Sequence, residues 1–124
     1  MRTIKFRAQD IASNKWLFGD IRHHKNDVCI FEQGGNKGEQ VKPETVGQFT
    51  GLHDKHSHEI YEGDILLYNG NRRTVEWNYG TFGLSMHENG FPFQAFYELP
   101  VPIVDSTVIG NIHDNPELLK GGES

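Results

Sequence analysis

Four things are scarce in this chain. It has one cysteine, Cys29, three alanines at positions 8, 12 and 95, no apolar run longer than four residues, and almost no positive charge in its second half. A lone cysteine cannot close an internal disulfide or build a Cys-rich zinc or iron–sulfur site, and it fits a reducing cytoplasm. Runs such as Ile65-Leu66-Leu67-Tyr68 are far too short to cross a bilayer. Met1 to Arg7 alternates polar and apolar residues, unlike the continuous apolar stretch of a secretory signal. Three alanines against fourteen glycines argue against an all-α protein, because glycine costs a helix about 1 kcal/mol relative to alanine. Residues 63–124 hold only Arg72, Arg73 and Lys120 against eight acids, whereas residues 1–62 balance to zero, so the whole net charge of −5 sits in the second half. Phosphate recognition needs clustered Lys and Arg, which makes that half a poor nucleic-acid surface.

What is present points to sheet. Leu, Ile, Val and Phe make up about a quarter of the 124 residues, enough for a folded core, and the aromatics and β-branched residues favour strands. Ile4, Phe6 and Ala8 alternate with Thr3, Lys5 and Arg7 as a half-buried strand. Ser13-Asn14-Lys15 turns the chain into a second strand, Trp16 to Ile21, and a third runs from Val28 to Glu32. Gly34 to Gly38 follows as flexible connection, then Pro43-Glu44 and a short segment from Thr45 to Thr50. Ile65 to Tyr68 reads as a strand buried on both faces. Asn69-Gly70 and Tyr79-Gly80 then punctuate a three-stranded meander across 64–87. Phe93 to Leu99, bracketed by prolines, reads as an edge or irregular segment, and Thr107 to Ile112 as a last strand that returns to pair with an earlier one. Asn115-Pro116 opens a helix of one or two turns that Gly121 ends.

Four stretches lie in an order that resembles one family. They are Met1 to Ala8 with Asp10, Pro43 to Leu52, Glu59 to Ile65, and Val108 to Ile112 with Asn115 to Leu119. Together they resemble the YopX-like proteins of bacteriophages and prophages. The resemblance implies an SH3-like small β-barrel in the C-terminal part and brings no catalytic residues to carry over. The expected architecture is therefore mainly β: an N-terminal β-sheet lobe over residues 1–50, then an SH3-like barrel with a short C-terminal helix over 51–124. The chain departs from the family where His53-Asp54-Lys55-His56-Ser57-His58 replaces a Lys/Asn/Gly-type turn.

Three clusters carry possible chemistry. His53, His56, His58 and Glu59, with Asp54, are suitable donors for zinc, nickel or copper, but the spacing also suits a polar hairpin turn, and no metal or other cofactor is assigned. Glu62-Gly63-Asp64 reads as a structural turn, because Gly63 permits the bend and Asp64 can accept from nearby amides. His23-His24 reads as solvated surface and Cys29 as a buried, inert thiol. The glycines at 34, 35 and 38 lack the Ser/Thr and helix of a phosphate loop. Phe91, Phe93, Phe96 and Tyr97 put four aromatics into seven residues, more than an edge segment hides easily, and are the interface candidates. The expected function is a non-catalytic, phage-encoded accessory module in the host cytoplasm that binds a protein partner or itself, without membrane or nucleic acid. A nucleic-acid-binding barrel using Arg2, Lys5, Arg7, Arg72 and Arg73 is the first alternative. A metal-dependent enzyme built on the 53–59 cluster is the second.

Overall fold

The alternation that opens the sequence becomes the first strand of an antiparallel sheet. The computed structural model describes residues 3–32, 35–88 and 91–119, with 86–88, 91 and 92 described by backbone alone. The chain divides into two compact units, Met1–Gly51 and Leu52–Ser124.

In the first unit, β1 (Phe6–Gln9), β2 (Trp16–His24), β3 (Asp27–Phe31), β4 (Gly38–Gln40) and β5 (Gly47–His53) form the order β4-β3-β2-β1-β5. A 3-10 turn at Pro43–Thr45 precedes β5, which runs past Gly51 into the second unit. Asp10 fixes the β1–β2 turn: its Oδ2 accepts from the Ala12 and Ser13 amides and the Ser13 hydroxyl. Those bonds, led by the Ser13 amide, hold this exposed carboxyl below its ordinary value. Ala8, Val28, Ile30 and Val41 make the core, with Phe6, Leu17, Ile21 and Val46 packed against them.

Two residues of this sheet depart from expectation. Val28 and Ile30 point inward, so Cys29 between them is half-buried instead of buried. Arg7, expected on a polar outer face, is buried, with its guanidinium 4.7 Å from the Trp16 ring centre. An aromatic face lets a cation remain there at low cost. Part of the glycine-rich connection also pairs: Gly38–Gln40 joins β3 as an edge strand.

In the second unit, β6 (Glu59–Tyr61) neighbours β5, and β7 (Asp64–Tyr68), β8 (Asn71–Asn78), β9 (Thr81–Glu88), β10 (Phe91–Ala95) and β11 (Thr107–Asn111) form the order β10-β9-β8-β7-β11. The meander is as expected, and β11 returns to pair with β7. Ile60, Leu66, Tyr68, Val75, Leu84 and Ile103 form the core. The proline-flanked return is pinned by Tyr68, whose hydroxyl donates to the Val101 carbonyl at 2.7 Å and accepts from the Val101 amide at 3.0 Å.

Two expectations are refined in this unit and one is overturned. β7 is buried on both faces at Ile65 and Leu66, as expected, and opens to solvent at Leu67, which is 43% exposed. The Phe93–Leu99 segment divides: β10 ends at Ala95 and a 3-10 turn occupies Phe96–Glu98. The C-terminal helix is a single 3-10 turn, Pro116–Leu119. Four residues cannot repay helix nucleation. Asn115 is also diverted from capping, its Oδ1 accepting from the Asn111 amide.

Adjacent residues on β7 provide a test of this packing. Leu66→Ala should cost about 2–5 kcal/mol in urea unfolding, because it empties a fully enclosed site. Leu67→Ala should cost less than about 1 kcal/mol. Equal losses would contradict the inward and outward assignment.

Candidate functional site

The histidine-rich segment is the hairpin that joins β5 to β6. Its chemistry is set by the one residue that is not exposed. Asp54 has no side-chain exposure, whereas its neighbour His58 is 67% exposed. Asp54 Oδ1 accepts from the His56 and His58 amides at 2.8 and 2.9 Å, and Oδ2 accepts from the Val108 amide on β11 at 2.9 Å. The His58 Nδ1 lies 3.4 Å from the same Oδ2. Backbone bonds close the turn: the Asp54 amide donates to His58 O, Ser57 to Asp54 O, and Lys55 to Ser106 O. Burial is the largest influence on the Asp54 carboxyl and raises its pKa. The amides of Val108, His58 and His56, with the His58 imidazole, outweigh it, so the group titrates below the ordinary carboxylate range.

The candidate donors are therefore dispersed in role. His56 and His58 stand beside each other with ring centres 6.1 Å apart, and His53 is exposed at the end of β5. Glu59 accepts a hydrogen bond from the Tyr61 hydroxyl at 2.8 Å. Among the described residues, no group of three or more His, Cys, Asp or Glu side chains is placed to hold a metal ion.

Glu62-Gly63-Asp64 forms the turn between β6 and β7. Gly63 has φ +93°, and its amide and carbonyl bond Val75 O and Ile112 N, each at 2.9 Å. A side chain at that φ would be strained. Asp64 is buried, and its Oδ2 accepts from the Tyr61 amide at 2.7 Å. His23 and His24 lie exposed at the end of β2.

The aromatic candidates separate. Phe96 packs against the core of the second unit, and the Phe91 side chain lies outside the described residues. Phe93 is half-buried, and Tyr97 is 81% exposed. Trp77 and Tyr79, which are not among the interface candidates, are 47% and 89% exposed. Tyr79 occupies the tip of the β8–β9 hairpin, its ring centre 5.9 Å from that of Phe93. Trp77 meets the buried Phe82 edge-on at 4.7 Å. The signal available was the turn itself, because a residue at a tight hairpin tip projects away from the sheet.

The model of the YopX protein family matches residues 5–120. The chain belongs to the YopX protein family. Among solved structures it is similar to the crystal structure of protein EF1440 from Enterococcus faecalis, at 26% identity and a TM-score of 0.56, covering 97% of this chain and 100% of that one. No curated protein matches it. Two of the stretches that carried the YopX resemblance meet in the fold, since β11 pairs with β7 and Ile112 donates to Gly63. The histidine loop is tied to the same strand through Asp54.

The carboxylate can be tested by pH. Because the folded pKa of Asp54 is depressed, its contribution is complete above the unfolded value of about 3.9 and disappears as pH falls through the folded value. Asp54→Asn should cost about 1–3 kcal/mol at pH 7, and the gap to wild type should narrow on acidification from pH 5 to 2. A pH-independent gap in thermal unfolding would show that the ionised carboxylate is not what holds the turn.

Proposed function

We propose that this YopX-family chain is a non-catalytic, phage- or prophage-encoded accessory module that acts in the host cytoplasm by binding a protein partner or a second copy of itself. The second unit is read as an SH3-like barrel. Support comes from its strand order, with a four-stranded meander, a 3-10 turn at Ile103–Asp105, and a fifth strand that returns beside the first. The observation that carries the function is the set of aromatics left in solvent by a unit that already has a filled core: Tyr79, Tyr97 and Trp77. Aromatic side chains bury large areas at little entropic cost and dominate binding surfaces.

The rival chemistry finds less support. Arg7 and Arg73 are buried, Lys5 lies over the Phe49 ring, and Arg72 donates to the Leu118 carbonyl at 3.0 Å. Cations committed to packing are poorly disposed for phosphates. Asp54, the best anionic donor of the histidine loop, is committed to three amides.

Light scattering of the intact protein and capture from infected-host lysate test the proposal together. The expected result is a defined oligomer or a specific partner, weakened at least about tenfold by Tyr79→Ala with Tyr97→Ala. A strict monomer that captures nothing specific overturns it, and so does binding indifferent to both substitutions.

A further inference from the structure

We propose that Glu76, Tyr79 and Phe93 form a seat for a cationic side chain, a lysine or arginine of a partner peptide. The inference rests on the binding-module reading and adds the ligand chemistry.

The first observation is a contrast between two turns of one sheet. Both hairpins place two successive residues at positive φ: Asn69 at 49° with Gly70, and Tyr79 at 55° with Gly80. Asparagine enters that region readily and a bulky side chain rarely does. The chain uses the favourable residue at one turn and tyrosine at the other, and that tyrosine is 89% exposed, so core packing does not explain the choice. Backbone strain of this kind concentrates at functional positions.

The second observation is what surrounds the ring. Phe93 tilts against Tyr79 at 56°, so the two rings form a corner. Phe93 lies across Gly83, where even a single added carbon would collide with its ring and with the Gln94 carbonyl. Gly83 pairs directly with Glu76, so Glu76 rises from the face on which Phe93 lies. Glu76 Oε1 accepts from Asn78 Nδ2 at 2.9 Å, which steadies the carboxylate. Among the described residues, no lysine or arginine pairs with Glu76 or covers either ring.

Charge selects the occupant. In the first unit the chain places its own cations over aromatic rings, with Lys5 on Phe49, Arg7 on Trp16 and Arg22 on Phe31. The second half has eight acids and three cations, and its aromatic corner shares a sheet face with the Glu76 carboxylate. A cation gains both ring faces and the carboxylate there. An acidic peptide or a phosphate backbone would be repelled.

The test is an amide NMR titration of the intact protein with tetralysine, tetra-arginine, tetraglutamate and a short oligothymidine. The expected result is saturable shifts centred on Glu76–Thr81, Gly83 and Phe93 with the two basic peptides alone. Affinity should weaken at least fivefold in Tyr79→Asn and in Glu76→Gln. Tyr79→Asn should unfold at the same temperature as wild type or higher, because the turn is relieved, which separates loss of the seat from loss of the fold. Shifts elsewhere, equal binding of tetraglutamate or oligothymidine, or affinity unchanged in Tyr79→Asn overturns the seat. If basic peptides fail while self-association or partner capture persists, the seat alone is wrong. If both fail, the binding-module reading falls with it.

Discussion

The second unit depends on a negative charge placed where water cannot reach it. Removing an ionised carboxylate from water costs several kcal/mol, and the cost is tolerable only when hydrogen-bond donors replace the lost hydration. At Asp54 the donors are three backbone amides, two from its own turn and one from β11, 54 residues away along the chain. The turn and the strand are thereby set together. β11 then pairs with β7, and the Gly63 turn bonds β8 on one side and the residue after β11 on the other. Asp64 repeats the device beside it by accepting from Tyr61. Acidic residues that composition counts as surface charge are in part the fasteners of the core.

That arrangement separates two roles within the second unit. Tyr68 and Phe82 are spent on packing, whereas Tyr79 and Tyr97 are not. The YopX-family segments supply the frame, and the features that differ in character, the histidine loop and the aromatic tip, project from it. The partner proposed for this acidic unit would meet ring faces and carboxylates together.

Legibility in the sequence followed the range of the interactions. The strand at Phe6, the alternation around Val28, the Asn69-Gly70 turn and the meander to residue 87 are local patterns that appear in the structure. Ile4 is exposed and Arg7 is buried, against the expected alternation of the first strand. The pairing of β11 with an earlier strand was legible because an apolar strand needs a neighbour, although nothing local named β7. What failed depended on distant partners. Arg7 is buried because Trp16 lies beneath it, and Asn115 abandons its capping role because the Asn111 amide competes for it. Asp54 was seen as a possible ligand, but its role depends on Val108. The aromatic count pointed to residues 91–97, yet Phe96 joined the core and the exposed ring nearest Phe93 belongs to Tyr79, on the facing hairpin.

The five-stranded sheet ends on two strands that could accept a foreign one. On β11, the Val108 amide is taken by Asp54 and the Asn111 amide by Asn115, both through side chains. On β10, position 92 is a proline without an amide hydrogen, and the register shifts between Phe91 and Phe93. Neither border offers a regular ladder for another chain to extend. An abundance of aromatic and β-branched residues, which would otherwise invite fibrous stacking, is thereby carried by a sheet that stops at its fifth strand.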